Sequence, residues 1–218
     1  MHTLTEENYL KAIYRIYDST GDSVSTTAIA EKLQINAASV TDMFKKLGQQ
    51  KLVVYEKSRG VKPTDKGKKV ALQILRKHRL WETFMVEKLK FSWDEVHDVA
   101  EQLEHVHSDI HIERLDQLLG YPKFDPHGDP IPDKYGKLPA QDSILLSQGK
   151  LGQVYRVSGV SENSDAFLKY LNKIGLVPGS QITIVEVEEF DGSMKLRIDN
   201  KAEIILSKQA AENLAVVS

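Results

Sequence analysis

Leu10, Ile13, Tyr14 and Tyr17 recur at i, i+3, i+4 and i+7 within residues 5–17, which is the apolar stripe of an amphipathic helix. Thr5 suits its N-cap. Glu6 and Glu7 suit its first turn, where the peptide dipoles favour negative charge. The polar stretch DSTGDSVST, with Gly21 in a turn, ends it. Thr26 or Thr27 can then cap a short helix carrying Ile29, Ala30 and Leu33 on one face. Asn36 opens a second helix with Val40, Phe44 and Leu47 inward. Residues 52–55 read as a strand, Ser58-Arg59-Gly60 as a turn, and Val61 as the start of a return strand that Pro63 ends. Thr64 caps a long helix over 64–89.

The order helix, helix, helix, two-stranded ribbon predicts a winged helix-turn-helix. The alternative is a small helical domain that binds nothing. Residues 94–119 predict one further long helix, with Val96, Val99, Leu103, Val106 and Ile110 on its buried face. The stretch YPKFDPHGDPIPDKYGKLP is dense in Pro and Gly and reads as a loop and domain boundary. Beyond it the pattern turns to short alternating strands, one helix ending at Gly175 and a hairpin turn at Asp191-Gly192, together predicting a small SH3-like β-barrel. The fold class is thus mainly α with a small β part. Three domains are expected: a winged helix-turn-helix (1–73), a helical metal-binding and dimerisation domain (74–140) and the SH3-like domain (141–218).

Composition narrows the classes. No apolar run approaches the ~20 residues that span a bilayer, and the N-terminus lacks the basic end and apolar core of a signal peptide. A cytoplasmic location is expected, without a membrane partner. The chain has no cysteine, which excludes disulfides, thiolate zinc sites and iron–sulfur clusters. Residues 1–73 carry 12 Lys/Arg against 8 Asp/Glu, residues 74–140 carry 9 against 13, and residues 141–218 carry 8 against 10. A basic N-terminal third suggests an anionic partner, and an acidic, His-rich middle suggests cations.

In a winged helix the second helix of the turn motif enters the major groove with its N-terminal residues facing base edges. Here those are Asn36, Ala37, Ala38, Ser39, Thr41 and Asp42, small side chains that suit methyl and hydroxyl contacts. Thr27, Lys45 and Lys46 are further DNA candidates, the lysines as phosphate neutralisers. Lys57 and Arg59 sit at the ribbon tip, suited to backbone or minor-groove contact. A solvated face is the bland reading of such lysines.

Five of the seven histidines (78, 97, 105, 107 and 111) fall between residues 78 and 111. On a helix advancing about 100° per residue, Glu101, Glu104 and His105 share one face at i, i+3, i+4. Three ligands from one helix cannot close a coordination sphere, so another element must contribute. His97 lies eight residues before His105, about 12 Å along a helix axis, too far for one ion. Two sites are the simpler reading, with His78 and Glu82, at i, i+4, as partners of His97. His107 and His111 have HxxxH spacing, but Ser108 stands where HExxH hydrolase chemistry needs Glu. They read as surface or interface histidines. No general base stands beside an open coordination position, so the rival class, a metallohydrolase, is not expected. Nor is a small organic substrate.

The segments ENYLKAIY, IAEKLQINAASVTDMFKKL, LVVYEKSRGVKPTDKGKK, RKHRLWE, VHDVAEQLEHVHSD and the PHGDPIP loop together resemble the DtxR/MntR family of metal-dependent transcriptional repressors. KYLNKIGLVPGS resembles the FeoA-like module that many members carry. The resemblance implies a homodimer that binds palindromic double-stranded operator DNA when metal is plentiful and controls metal-ion homeostasis genes. It implies a regulatory site of Asn8, Glu101, Glu104 and His105, and an ancillary site of His78, Glu82 and His97. Asp125 and His127 are candidates for an additional or modified ancillary site. Glu101 looks like the manganese branch, and hard oxygen ligands suit Mn²⁺. Fe²⁺ is the alternative, and Zn²⁺, Co²⁺ or Ni²⁺ could substitute in vitro. Asn8 departs from both branches, because its amide oxygen coordinates without charge. Lys11 stands where some manganese members place an acidic ligand.

Overall fold

The computed structural model describes all residues except Met1, Gln141, Asn163 and Asn200. The chain divides into two compact units, one of residues 1–78, 101–109 and 132–138, the other of residues 79–100, 110–131 and 139–218. Among the described residues no helix is long and apolar enough to cross a membrane.

In the first unit, α1 (Leu4–Thr20) starts earlier than the apolar stripe suggests. Thr3, not Thr5, is its N-cap, in a capping box with Glu6. The reciprocal bonds satisfy two backbone donors at once, more than a cap at Thr5 could do. Ser25, not Thr26 or Thr27, caps α2 (Thr26–Leu33), and Asn36 caps α3 (Ala37–Gln49) through its bond from the Ser39 N–H. The turn between them uses Gln34 in the left-handed region at φ 53°. Strands β1 (Val53–Glu56) and β2 (Gly60–Pro63) pair antiparallel as the wing. Val24 and Val61 exchange backbone bonds of 2.8 and 2.9 Å. That close approach needs Gly60: its φ is 94°, and a Cβ there would lie 2.1 Å from the Val24 carbonyl oxygen. Leu10 and Ile13 of α1, Ile29 of α2 and Phe44 and Leu47 of α3 form one buried cluster with Leu52.

Helix α4 (Asp65–Glu87) begins at a Thr64 hydroxyl that accepts from the Gly67 N–H. The expected domain boundary at residues 73/74 falls inside it. The long helix expected over 94–119 is instead two helices, α5 (His97–Leu103) and α6 (Asp109–Leu118). Ser108-Asp109 is a helix-start signal, and the chain restarts there. Val96 is buried as expected, but Val106 and Ile110 are 37% and 63% exposed, so the single buried stripe does not run through.

In the second unit Leu80, Ile112, Leu115, Leu119 and Ile131 form a cluster flanked by Trp81 and Phe84. The C-terminal part contains β3 (Ile144–Leu145), β4 (Val154–Val160), α7 (Asp165–Ile174), β5 (Gln181–Val187), β6 (Met194–Ile198), β7 (Ala202–Leu206), α8 (Lys208–Ala211) and β8 (Leu214–Val217). The sheet order is β3-β8-β4-β5-β6-β7, every pair antiparallel. The expected barrel is therefore an open sheet among the described residues. Its edges are β7 and β3, and β3 contributes only two residues, too few to bring the sheet round on itself. Helix α7 ends at Gly175 in the left-handed region, as the sequence suggests.

Glu6 gives α1 a pH-dependent anchor. Its carboxylate accepts from the Thr3 N–H at 2.8 Å and from Gln50 at 2.6 Å, and Lys46 Nζ lies at 3.1 Å. Burial opposes its ionisation, but these bonds and the lysine outweigh burial and hold the carboxyl at about 2, against 4.5 ordinarily. A depressed folded-state value means that the unfolded chain binds the proton more readily. The stabilisation is therefore complete above the ordinary value and is lost as pH falls towards the folded one. Urea melts at pH 6 and pH 3 should show a larger loss of stability for the wild type than for Glu6→Gln. Equal losses would remove Glu6 from the account.

Candidate metal centre

Glu104 lies just past the end of α5 and is 0% exposed. Lys11 Nζ, from α1, is 2.7 and 2.8 Å from its two oxygens and 2.5 Å from Glu101 Oε1. His78 Nδ1, from α4, is 2.7 Å from Glu104 Oε2 and 3.8 Å from Glu101 Oε1. His105 Nδ1 is 2.6 Å from Glu7 Oε2, and its Nε2 is 3.6 Å from Glu104 Oε1. All these groups belong to the first unit.

Glu7 was not visible as a site residue in the sequence, where it reads as a first-turn carboxylate. It is buried, and its geometry assigns the His105 proton to Nδ1, donated to Glu7. The His105 Nε2 faces Glu104. A histidine that binds metal characteristically donates its other N–H to a carboxylate in this way. Asn8 Oδ1 is buried with no hydrogen-bond partner among the described residues. Such an orphaned oxygen costs about 1–3 kcal/mol, and coordination to a cation would satisfy it. An amide oxygen, two carboxylates and an imidazole are a donor set that fits a hard or borderline divalent ion.

Of the residues expected for an ancillary site, Glu82 Oε1 is 3.3 Å from His97 Nδ1, and one donor atom each from His78, His97 and Glu101 lies within 4.8 Å of the others. Asp125 and His127 do gather with Glu82. One donor atom from each lies within 4.8 Å of the others, and all three residues are buried. His127 Nδ1 is 3.5 Å from Glu82 Oε2, while its Nε2 lies 2.7 Å from the Trp93 carbonyl oxygen. The carbonyl takes the Nε2–H, so this imidazole too has one nitrogen pinned and the other turned to a carboxylate. Burial opposes the His127 positive charge, but Glu82 and Asp125 overcome it and raise the imidazole to about 9. Burial, with the charges of Glu82 and Asp129, pushes the Asp125 carboxyl up. A cavity of about 400 Å³, lined by Thr83, Val86, Trp93, Phe124 and Asn172, reaches Asp125. His107 Nε2 is 3.8 Å from Glu7 Oε1, and the His111 ring packs against Trp81 at 5.5 Å.

On the DNA-reading side, Thr27, Asn36, Ala37, Ala38, Ser39 and Asp42 are exposed. Thr41 is half-buried and donates its hydroxyl to the Ala37 carbonyl. Lys45 Nζ lies 3.0 Å from Asp42, and Lys46 holds Glu6, so each lysine has a carboxylate partner. Lys57 and Arg59 are exposed at the wing tip, with Arg59 3.7 Å from Glu56.

A winged helix with an exposed recognition helix, joined to buried Glu/His clusters, defines a metal-responsive DNA-binding protein. Residues 1–61 match the family described as iron dependent repressor, N-terminal DNA binding domain. Residues 64–133 match its metal binding and dimerisation domain, and residues 144–218 match the FeoA domain. The chain is 34% identical over 192 residues to the iron-dependent repressor IdeR of Mycobacterium tuberculosis, covering 83% of each. It is 36% identical over 125 residues to the HTH-type transcriptional regulator MntR of Oceanobacillus iheyensis, covering 57% of this chain and 84% of that one. A solved manganese-dependent transcriptional repressor in complex with manganese is similar at 37% identity and a TM-score of 0.85, over 98% of this chain and 99% of that one. The chain belongs to the DtxR/MntR family of metal-dependent transcriptional repressors.

Glu7→Gln keeps the shape but removes the charge that orients His105. Divalent-metal affinity, measured by calorimetry, should fall by about 10–100-fold. An unchanged affinity would reduce Glu7 to a packing role.

Proposed function

We propose that the protein is a manganese-responsive repressor in which Asn8, Glu101, Glu104 and His105 hold the regulatory ion. The observation that carries this reading is the convergence of buried Glu104 and half-buried Glu101 and His105 on Lys11 and Glu7 of α1, the helix on which the buried Asn8 amide oxygen has no hydrogen-bond partner among the described residues. The donors are all oxygen or nitrogen, and the chain has no cysteine. That chemistry favours Mn²⁺ over softer ions. When bound, the ion supplies the positive charge that two adjacent carboxylates require.

The residues around it do the coupling. Glu7 and Asn8 belong to α1, whose Leu10 and Ile13 pack in one cluster with Ile29 of α2 and Phe44 of α3. A restraint on α1 is thereby passed to the recognition helix through packed side chains. Segment 101–105 belongs to the stretch matched as the dimerisation domain. Joining the two ends fixes the recognition helices of a homodimer at the spacing of successive major grooves on a palindromic operator. The metal acts by its differential affinity for that docked state. Glu82, Asp125 and His127, with His97 against Glu82, form the second, ancillary centre.

Glu104→Ala should abolish metal-stimulated binding to a palindromic operator duplex in a fluorescence-anisotropy titration. Metal-dependent binding that survives in this variant would sink the clamp. In anaerobic titrations of the wild type, Mn²⁺ should act at lower free concentration than Fe²⁺. The reverse order would make the protein an iron regulator of the same family, which the similarity to IdeR also supports.

A further inference from the structure

We propose that Lys11 is a built-in competitor of the regulatory metal, so that activation is an exchange of one cation for another. The inference rests on the ligand assignment above. The Lys11 ammonium takes both Glu104 oxygens and one Glu101 oxygen at 2.5–2.8 Å. Those are the same atoms that a divalent ion must use. Three short charge-assisted bonds from a side chain only 8% exposed describe a seated counter-ion, not a passing surface contact. An ammonium and a divalent ion cannot share these oxygens, because their charges would face each other at contact distance in a partly dry site.

The chain therefore carries its own occupant for the site. Lys11 is one helical turn beyond Asn8 on α1, so the same helix supplies a metal ligand and the group that metal must displace. A monovalent cation gains little against an ammonium already in place, whereas a divalent one brings twice the charge. Lys11 thus sets the metal concentration at which the switch turns and filters out monovalent ions. Apparent affinity is lowered by the fraction of molecules in which the lysine is seated.

The test is calorimetric titration of the full-length protein with MnCl₂, comparing wild type, Lys11→Met, Lys11→Gln and Glu104→Ala. Both lysine variants should bind Mn²⁺ at least about tenfold more tightly. Their Mn²⁺-free melting temperatures should fall, as two carboxylates lose their counter-ion, and the rise in Tm on adding Mn²⁺ should exceed that of the wild type. A variant that merely folds poorly would lose affinity, so the predicted gain cannot come from damage. Unchanged or weaker binding in both lysine variants, with binding lost in Glu104→Ala, would overturn the exchange while leaving the ligand assignment intact. Wild-type affinity in Glu104→Ala would overturn that assignment and the exchange with it.

Discussion

A carboxylate cannot be taken out of water alone, and the Glu104 carboxylate is wholly out of water. Removing a charge from solvent costs of order several kcal/mol even after relaxation, so every group near it must answer that charge. Lys11 does so with an ammonium, His78 with a ring nitrogen, and His105 with a ring turned by Glu7. The three partners come from α1, α4 and the loop after α5. This one buried charge therefore gathers three separated stretches of the chain in the first unit. A buried ion pair is weak support for stability in itself. In the proposed exchange a metal ion takes the place of the ammonium on the same carboxylates.

The DNA-binding part was legible from the chain because local signals agree there. Asn36 caps α3, Phe44 and Leu47 face inward, and Gly60 occupies a backbone conformation at a contact that no other residue tolerates. Each of those cues acts over a few residues. The middle of the chain was only partly legible. Glu101, Glu104 and His105 are identifiable by spacing, yet a shared helical face needs one continuous helix, and the chain leaves the helix at Glu104. Hydrophobic periodicity could not reveal the break, because Val106 and Ile110 continue the apolar pattern while lying exposed. Glu7 and the role of Lys11 were invisible for a different reason: their partners are about 90 or more residues away. The open sheet was hidden by the brevity of β3, since strand pattern gives a strand's presence better than its reach.

The lysines of the recognition helix illustrate the same limit. Counted along the chain, Lys45 and Lys46 are free positive charges that suit phosphates. In the fold each has a carboxylate close by, Asp42 for the first and Glu6 for the second. Lys46 is the more constrained, because Glu6 also caps the start of α1 and accepts from Gln50. Any phosphate contact by Lys46 must compete with a bond that holds α1 against the end of α3. Lys57 and Arg59 at the wing tip are the more available charges.

His127 repeats in the second unit the construction seen at His105. In both cases one ring nitrogen is committed, to the Trp93 carbonyl or to the Glu7 carboxylate, and the other faces a buried glutamate. The difference lies in what balances the charge. Around Glu104 a lysine provides it. Around Glu82 the partners include His97 and His127, whose imidazole is raised to about 9, beside an Asp125 carboxyl whose burial favours its neutral form.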